Sequence, residues 1–169
     1  MSATSKEYRD GILLAWQGEQ WGKAFFERLA QATEDAGQRA KWEVLAELEE
    51  VTGNRLRPLL DPDAERPPAE GYRALDAAVD TYSSLSWAEA LEQMIPVLDP
   101  AIERFQKLLE MAPDKDRETV QILVDHELAL KRFAQRELAG NAETSLAPAR
   151  AVIERARANQ PAKTTPVSS

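Results

Sequence analysis

The sequence contains no cysteine and only one histidine, His126. Disulfide bonds, thiolate catalysis and cysteine-ligated zinc or iron–sulfur sites are therefore excluded. No apolar run is long enough to span a bilayer, and the opening stretch MSATSKEYRD lacks the apolar core of a signal peptide. These absences predict a cytoplasmic protein without a membrane partner, in which any metal ligands are oxygen atoms and a single imidazole.

An excess of positive charge is also missing. The chain has 21 Lys and Arg against 29 Asp and Glu, a net charge of −8, and the two signs are interspersed. This balance argues against nucleic acid or an anionic membrane as the partner. The length of 169 residues suits one domain, which we place at 1–158, followed by a small, polar, proline-containing tail at 159–169 that we expect to be disordered.

Residues that favour strands are scarce, and helical periodicity dominates, so the sequence predicts an all-α fold. Four long helices are expected at about 6–33, 35–60, 86–111 and 116–138, with a shorter helix at 72–82 inside the crossover between the second and third, and a fifth, C-terminal helix at 145–158. Asp35 and Ser86 are predicted N-caps, and Gly140 a left-handed C-cap. Pro96 and Pro100 predict a kink or a break in the third long helix, with Asp99 as a new N-cap.

Two carboxylates fall on the apolar faces of the first two helices. The turn between these helices centres near Glu34, and the positions of Glu19 and Glu49 average to that number, so an antiparallel pair would place them level. Repulsion forbids two facing carboxylates in a core unless protons or cations hold them together. The alternative is that both helices are rotated from this assignment, so that the carboxylates reach solvent or Arg55.

The fourth long helix contributes another inward carboxylate. Glu127 lies in the apolar spacing between Leu123 and Leu130, with His126 beside it. Its level partner on the third long helix is either Asp99 or Glu103, depending on where the intervening turn centres. Either one would give four carboxylates, one from each long helix.

The stretch GEQWGKAFFERLAQATEDAGQRAKWEVLAELEE resembles the first helical pair of the ferritin-like superfamily, in particular its rubrerythrin-like members. The resemblance covers about 8–60 and, more weakly, 86–138. It implies a ferritin-like four-helix bundle with a long crossover. In such bundles a pair of metal ions is held by one Glu from each of two helices and a Glu-x-x-His motif from each of the other two.

The resemblance also implies roles for individual residues. Glu19 matches the first-helix ligand and Glu49 the glutamate of the second-helix motif, with Thr52 at the histidine position. Glu127 matches the glutamate of the other motif, and Leu130 occupies its histidine position. Both motif histidines are therefore missing.

His126 does not replace a motif histidine in a simple way, because it should point about 100° away from Glu127 around the helix. A hydrogen-bonded, half-buried histidine is the preferred interpretation. The candidate metal residues are nevertheless the four glutamates and this histidine: Glu19, Glu49, Glu103, Glu127 and His126.

Two functions remain open. The favoured one is a degenerate ferritin-like protein without redox chemistry or a cofactor, in a binding or structural role. The alternative is a metal-binding oxidoreductase or metal-storage protein whose all-carboxylate site holds Fe, Mn or Mg. The sequence identifies neither catalytic residues nor a small-molecule substrate. A second apolar stripe on the first helix, formed by Leu14, Trp21 and Phe25, predicts a homodimer unless the 72–82 segment or the fifth helix covers it.

Overall fold

The computed structural model describes residues 5–63 and 70–158, and all the regular structure in these ranges is helical. The all-α prediction is confirmed. A single 3-10 turn, Arg57–Leu59, follows the second helix. The helices are α1 (Lys6–Ala32), α2 (Ala36–Leu56), α3 (Glu70–Ser83), α4 (Trp87–Met111), α5 (Arg117–Leu138) and α6 (Ala147–Ala158). The predicted disordered tail, 159–169, lies outside the described residues.

Four long helices pack side by side around the core. α1 packs against α2 and α4 against α5, and the two pairs meet where α2 contacts α5 and α1 contacts α4. The long connection between α2 and α4 contains α3, which lies on α1, as a helix-containing crossover requires. The C-terminal α6 docks against both α2 and α5, a contact that the sequence left undecided.

The ends of the helices follow the predicted capping residues. Asp35 caps α2 by accepting a 2.8 Å hydrogen bond from the amide of Gln38. Ser86 and Glu89 form a reciprocal capping box at the start of α4. Gly140 ends α5 with a φ of 82°, the left-handed conformation that favours glycine. These local signals fix the direction in which the chain enters and leaves the bundle.

Of the kink or break predicted in the third long helix, the break is wrong, and the kink stays a prediction. α4 is continuous from Trp87 to Met111 with Pro96 and Pro100 inside it. Both prolines lie on the exposed face, where a carbonyl group that loses its helical partner is able to bond to water. Asp99 starts no new helix, and instead accepts a 2.6 Å hydrogen bond from Lys131 of α5.

The second apolar stripe of α1 is only partly covered. Phe25 is buried, and its ring meets that of Tyr82 of α3 edge to face, with centroids 5.2 Å apart. Trp21 stacks on Phe25 but stays 37% exposed, and Leu14 is 54% exposed. The crossover helix therefore covers one end of the stripe, and the homodimer stays a prediction.

The apolar core is divided into two clusters. One contains the rings of Phe26, Trp42 and Phe133, and the other contains Tyr8 and Phe105. Buried polar residues lie near the boundary between the two clusters on α1, α2 and α5. They are Glu19, Glu49, Thr52, His126 and Glu127, and all five are buried. A layer of buried polar side chains therefore crosses the bundle at mid-height.

Near the turn that follows α5, one carboxylate ties several elements together. Glu137 accepts hydrogen bonds from Lys41 of α2, from Ser145, and from the indole nitrogen of Trp87 of α4, the last at 3.0 Å. Although burial acts to raise the pKa of Glu137, the hydrogen bonds from Lys41, Ser145 and Trp87 outweigh it and lower that pKa. The ionised carboxylate is thus the form that holds this end of the bundle.

Replacing this carboxylate is expected to loosen the end of the bundle. Glu137→Gln should lower the free energy of unfolding by about 1–2 kcal/mol at neutral pH, because charge-assisted hydrogen bonds are lost. Because the folded pKa is lowered, this stabilisation is present above the ordinary value of 4.5 and disappears as the pH falls through the lower folded value. Urea unfolding at pH 7 and pH 3, with the exposed-site variant Glu92→Gln as control, checks the prediction, and an equal deficit at both pH values would contradict it.

Candidate metal centre

Three side chains from three helices converge in the polar layer. His126 Nδ1 of α5 lies 2.9 Å from Glu19 Oε2 of α1, and His126 Nε2 lies 3.3 Å from Glu49 Oε1 of α2. The exposed fractions of His126, Glu19 and Glu49 are 0%, 2% and 5%. The imidazole therefore stands between two carboxylates, with water largely excluded.

These contacts leave polar atoms unsatisfied. Among the described residues, neither ring nitrogen of His126 nor Glu19 Oε2 has a hydrogen-bond partner of acceptable geometry. The atoms approach to ion-pair distance, but without the alignment of a hydrogen bond. Buried polar atoms in this state cost about 1–3 kcal/mol each. The cluster is therefore suited to bind a proton or a cation that would satisfy these buried atoms.

Burial and charge perturb the acid–base properties of the layer. Burial raises the pKa of Glu19 well above its usual value, against the opposing effect of His126, and Glu49 raises it further. Burial acts to lower the pKa of His126, but Glu19 and Glu49 outweigh it, so this pKa is raised well above its usual value. Burial raises the pKa of Glu127 to about 7. The layer thus favours protons or a cation over an accumulation of negative charge.

Two glycines allow α1 and α2 to approach closely at this level. A Cβ added to Gly22 would lie only 2.5–2.8 Å from the carboxylate atoms of Glu49, and one added to Gly53 would lie 3.3 Å from Cβ of Glu19. Each helix therefore places a glycine opposite the other helix's glutamate. The carboxylate of Glu49 occupies the space that a side chain at Gly22 would fill.

The predictions for α1 and α2 are confirmed in position. Glu19 and Glu49 face the core and lie near each other, as the level arrangement required, and neither reaches solvent. Arg55, the alternative partner, instead donates a 3.2 Å hydrogen bond to Thr119. The space that Gly22 leaves for the Glu49 carboxylate was not predicted from the sequence. A glycine on the core face of α1, three residues after Glu19, could have indicated a close approach of the two helices.

The prediction that His126 is half-buried and points away from the site is wrong. His126 is fully buried, and it is the α5 residue that lies between the two carboxylates. The reason is that α2 and α6 both pack against α5, so that its buried arc is wider than one stripe. Glu127 is also buried, at 8% exposure, but it flanks the cluster and is not one of the three converging residues.

Neither α4 candidate joins the site. Asp99 and Glu103 are both exposed, because the buried face of α4 passes through Leu98, Ile102 and Phe105 instead. The placement of Glu103 among the core carboxylates is therefore wrong. The expected set of four carboxylates, one from each long helix, is replaced by two carboxylates and an imidazole.

The three converging residues fit the requirements of a metal ion. Each offers one ligand atom, and these atoms lie within 4.8 Å of one another. Ligand atoms bound at about 2.0–2.2 Å from an ion lie up to about 4 Å apart across it. Because the two ring nitrogens of His126 face different carboxylates, the ring would have to turn out from between Glu19 and Glu49 and present one nitrogen to the ion. Carboxylate and imidazole together are a donor set typical of first-row transition metals.

Comparison with known proteins adds no family. A scan against protein-family models, a search of curated proteins and a search of solved structures each found no match. The likeness to the ferritin-like superfamily therefore stays a prediction from the quoted residues. No helix in the described part of the chain is both long enough and apolar enough to cross a membrane.

Filling the space opposite Glu49 is expected to disturb the cluster. Gly22→Ala would force the Glu49 carboxylate away from His126 and should lower the free energy of unfolding by about 1–3 kcal/mol. Gly18→Ala on the same helix is the matched control, because a Cβ there meets nothing within 4 Å. The control should stabilise the protein by about 0.5–1 kcal/mol through helix propensity. Chemical denaturation of both variants checks the pair, and equal stabilisation by both alanines would contradict the geometry.

Proposed function

We propose that this protein binds a single divalent transition-metal ion between Glu19, Glu49 and His126. The observation that carries the proposal is the convergence of three buried ligand side chains, in which both ring nitrogens of His126 and Oε2 of Glu19 lack hydrogen-bond partners among the described residues. Burying three such residues without a ligand costs stability that apolar residues in their places would not. A metal ion would satisfy all three.

Charge balance supports a divalent ion. Glu19 and Glu49 supply two negative charges, and a neutral imidazole supplies none, so an ion of charge 2+ gives a neutral cluster. Burial of the layer makes this balance important, because uncompensated charge is costly where water is excluded. Glu127, whose pKa is raised to about 7, borders the cluster and is able to take up or release a proton near neutral pH.

The donor set favours some ions over others. One imidazole with two carboxylates suits Mn²⁺, Fe²⁺, Co²⁺ or Zn²⁺, whereas Mg²⁺ and Ca²⁺ prefer oxygen ligands alone. A single ion is proposed because Thr52 and Leu130 stand where the ferritin-like pattern has its two motif histidines. The proposal is thus a ferritin-like bundle whose di-metal site is reduced to one ion held by a displaced histidine.

A second candidate is favoured by the contact distances themselves. At 2.9 and 3.3 Å from Glu19 and Glu49, a protonated His126 would act as the cation between two carboxylates, and no metal would be needed. The cluster would then be a structural device, and the protein would act through its surface in a non-redox binding role. The two candidates differ in what neutralises the carboxylates.

Metal titration distinguishes the candidates. Protein purified without chelator, stripped and then titrated with Mn²⁺, Co²⁺ or Zn²⁺, is expected to bind one ion per chain. Glu19→Gln, Glu49→Gln and His126→Ala should each weaken binding more than about 100-fold, because even the outer partners of metal ligands contribute about 10- to 100-fold. The exposed Glu103→Gln is the control and should bind as the wild type does. Calorimetry and elemental analysis measure the stoichiometry and affinity.

Two measurements together would refute the proposed metal site. Failure of the wild-type protein to bind any of these ions, together with equal or greater stability of Glu49→Leu, would refute the metal site. A leucine relieves a buried carboxylate that serves no purpose, whereas it removes a partner from one that is paired or liganding. A large loss of stability in Glu49→Leu without metal binding would favour the imidazolium-bridged structure.

A further inference from the structure

Thr52 differs from the other threonines that lie well inside or at the end of a helix. Thr33 donates its hydroxyl to the carbonyl of Leu29 at 2.6 Å, and Thr81 donates to the carbonyl of Ala77 at 2.9 Å. Both use the ordinary bond to the carbonyl four residues earlier. Thr52 is fully buried, and its Oγ1 has no hydrogen-bond partner among the residues that the structure describes.

Thr52 lies one helical turn from Glu49, a residue of the candidate metal centre. It follows Glu49 by three residues, so both side chains lie on the same face of α2. Thr52 therefore belongs to the polar layer that contains the cluster. Its buried hydroxyl is able to donate and to accept a hydrogen bond, and it has no partner among the described residues.

We propose that the Thr52 hydroxyl holds a small exogenous ligand in a remaining coordination position beside Glu19, Glu49 and His126. The ligand is water, or a small anion that enters together with a proton so that the buried cluster stays neutral. This inference rests on the proposed metal-binding function. Three protein ligands leave at least one coordination position for solvent or an added ligand, as in open metal sites generally. A hydroxyl one helical turn from Glu49 is well suited to donate a hydrogen bond to whatever occupies that position.

The proposal gives the site a binding role beyond holding an ion. A closed structural site needs no exchangeable position, and it gains nothing from an unpaired hydroxyl. A site with a donor reserved for a further molecule selects ligands that are small and that accept a hydrogen bond. The surrounding layer is buried on α1, α2 and α5, which restricts the ligand to a few atoms.

Azide binding to the cobalt-loaded protein provides the test, because visible absorption of Co²⁺ reports changes in its ligands. Azide should perturb the wild-type spectrum saturably. Thr52→Val keeps the shape and removes the hydroxyl, so it should weaken azide binding about tenfold or more while Co²⁺ still binds. Thr52→Ser should restore azide affinity. The surface variant Thr81→Val is the control and should leave azide binding unchanged.

A second readout uses the metal-free protein. If the hydroxyl has no partner in the fold, Thr52→Val should raise the melting temperature, because a methyl group replaces an unsatisfied buried hydroxyl. A lower melting temperature would mean that the hydroxyl is bonded within the fold, and it would overturn the proposal. Wild-type azide affinity in Thr52→Val would also overturn it, as would loss of Co²⁺ itself, which would make Thr52 a direct ligand. Failure of the wild type to bind Co²⁺ refutes the underlying metal-binding function, and this inference with it.

Discussion

Two buried glutamates that approach the same imidazole need positive charge between them. Glu19 and Glu49 come from neighbouring helices, and His126 separates their carboxylates at 2.9 and 3.3 Å. Without a proton on the ring or a metal ion beside it, repulsion and desolvation would drive the three helices apart or force protons onto the carboxylates.

The rest of the bundle is arranged around the polar layer. Apolar clusters on either side position α1, α2 and α5, while Gly22 and Gly53 let α1 and α2 approach closely enough for the carboxylates to meet the ring. The terminal contacts, such as those of Glu137, hold the ends in register. The two apolar clusters therefore supply most of the stability. Apolar packing alone does not explain why the layer between them consists of polar residues.

Much of this fold was predictable from short-range signals. Capping residues and helical periodicity located the helices, and symmetry about the tight turn near Glu34 placed Glu19 opposite Glu49. His126 was misplaced because the periodicity of one helix cannot reveal how many neighbours cover it, and α5 is covered by both α2 and α6. Glu103 was misplaced because α4 turns Leu98, Ile102 and Phe105 toward the core, which leaves both register candidates, Asp99 and Glu103, on its exposed face.

The central claim is that the cluster holds one metal ion, and anomalous X-ray diffraction tests it most directly. Crystals grown with Mn²⁺ or Co²⁺, measured on both sides of the absorption edge of the metal, should give one anomalous peak per chain in the core. That peak should lie about 2.0–2.3 Å from oxygen atoms of Glu19 and Glu49 and from one ring nitrogen of His126. A core without a peak, with His126 still between the two carboxylates, would contradict the claim.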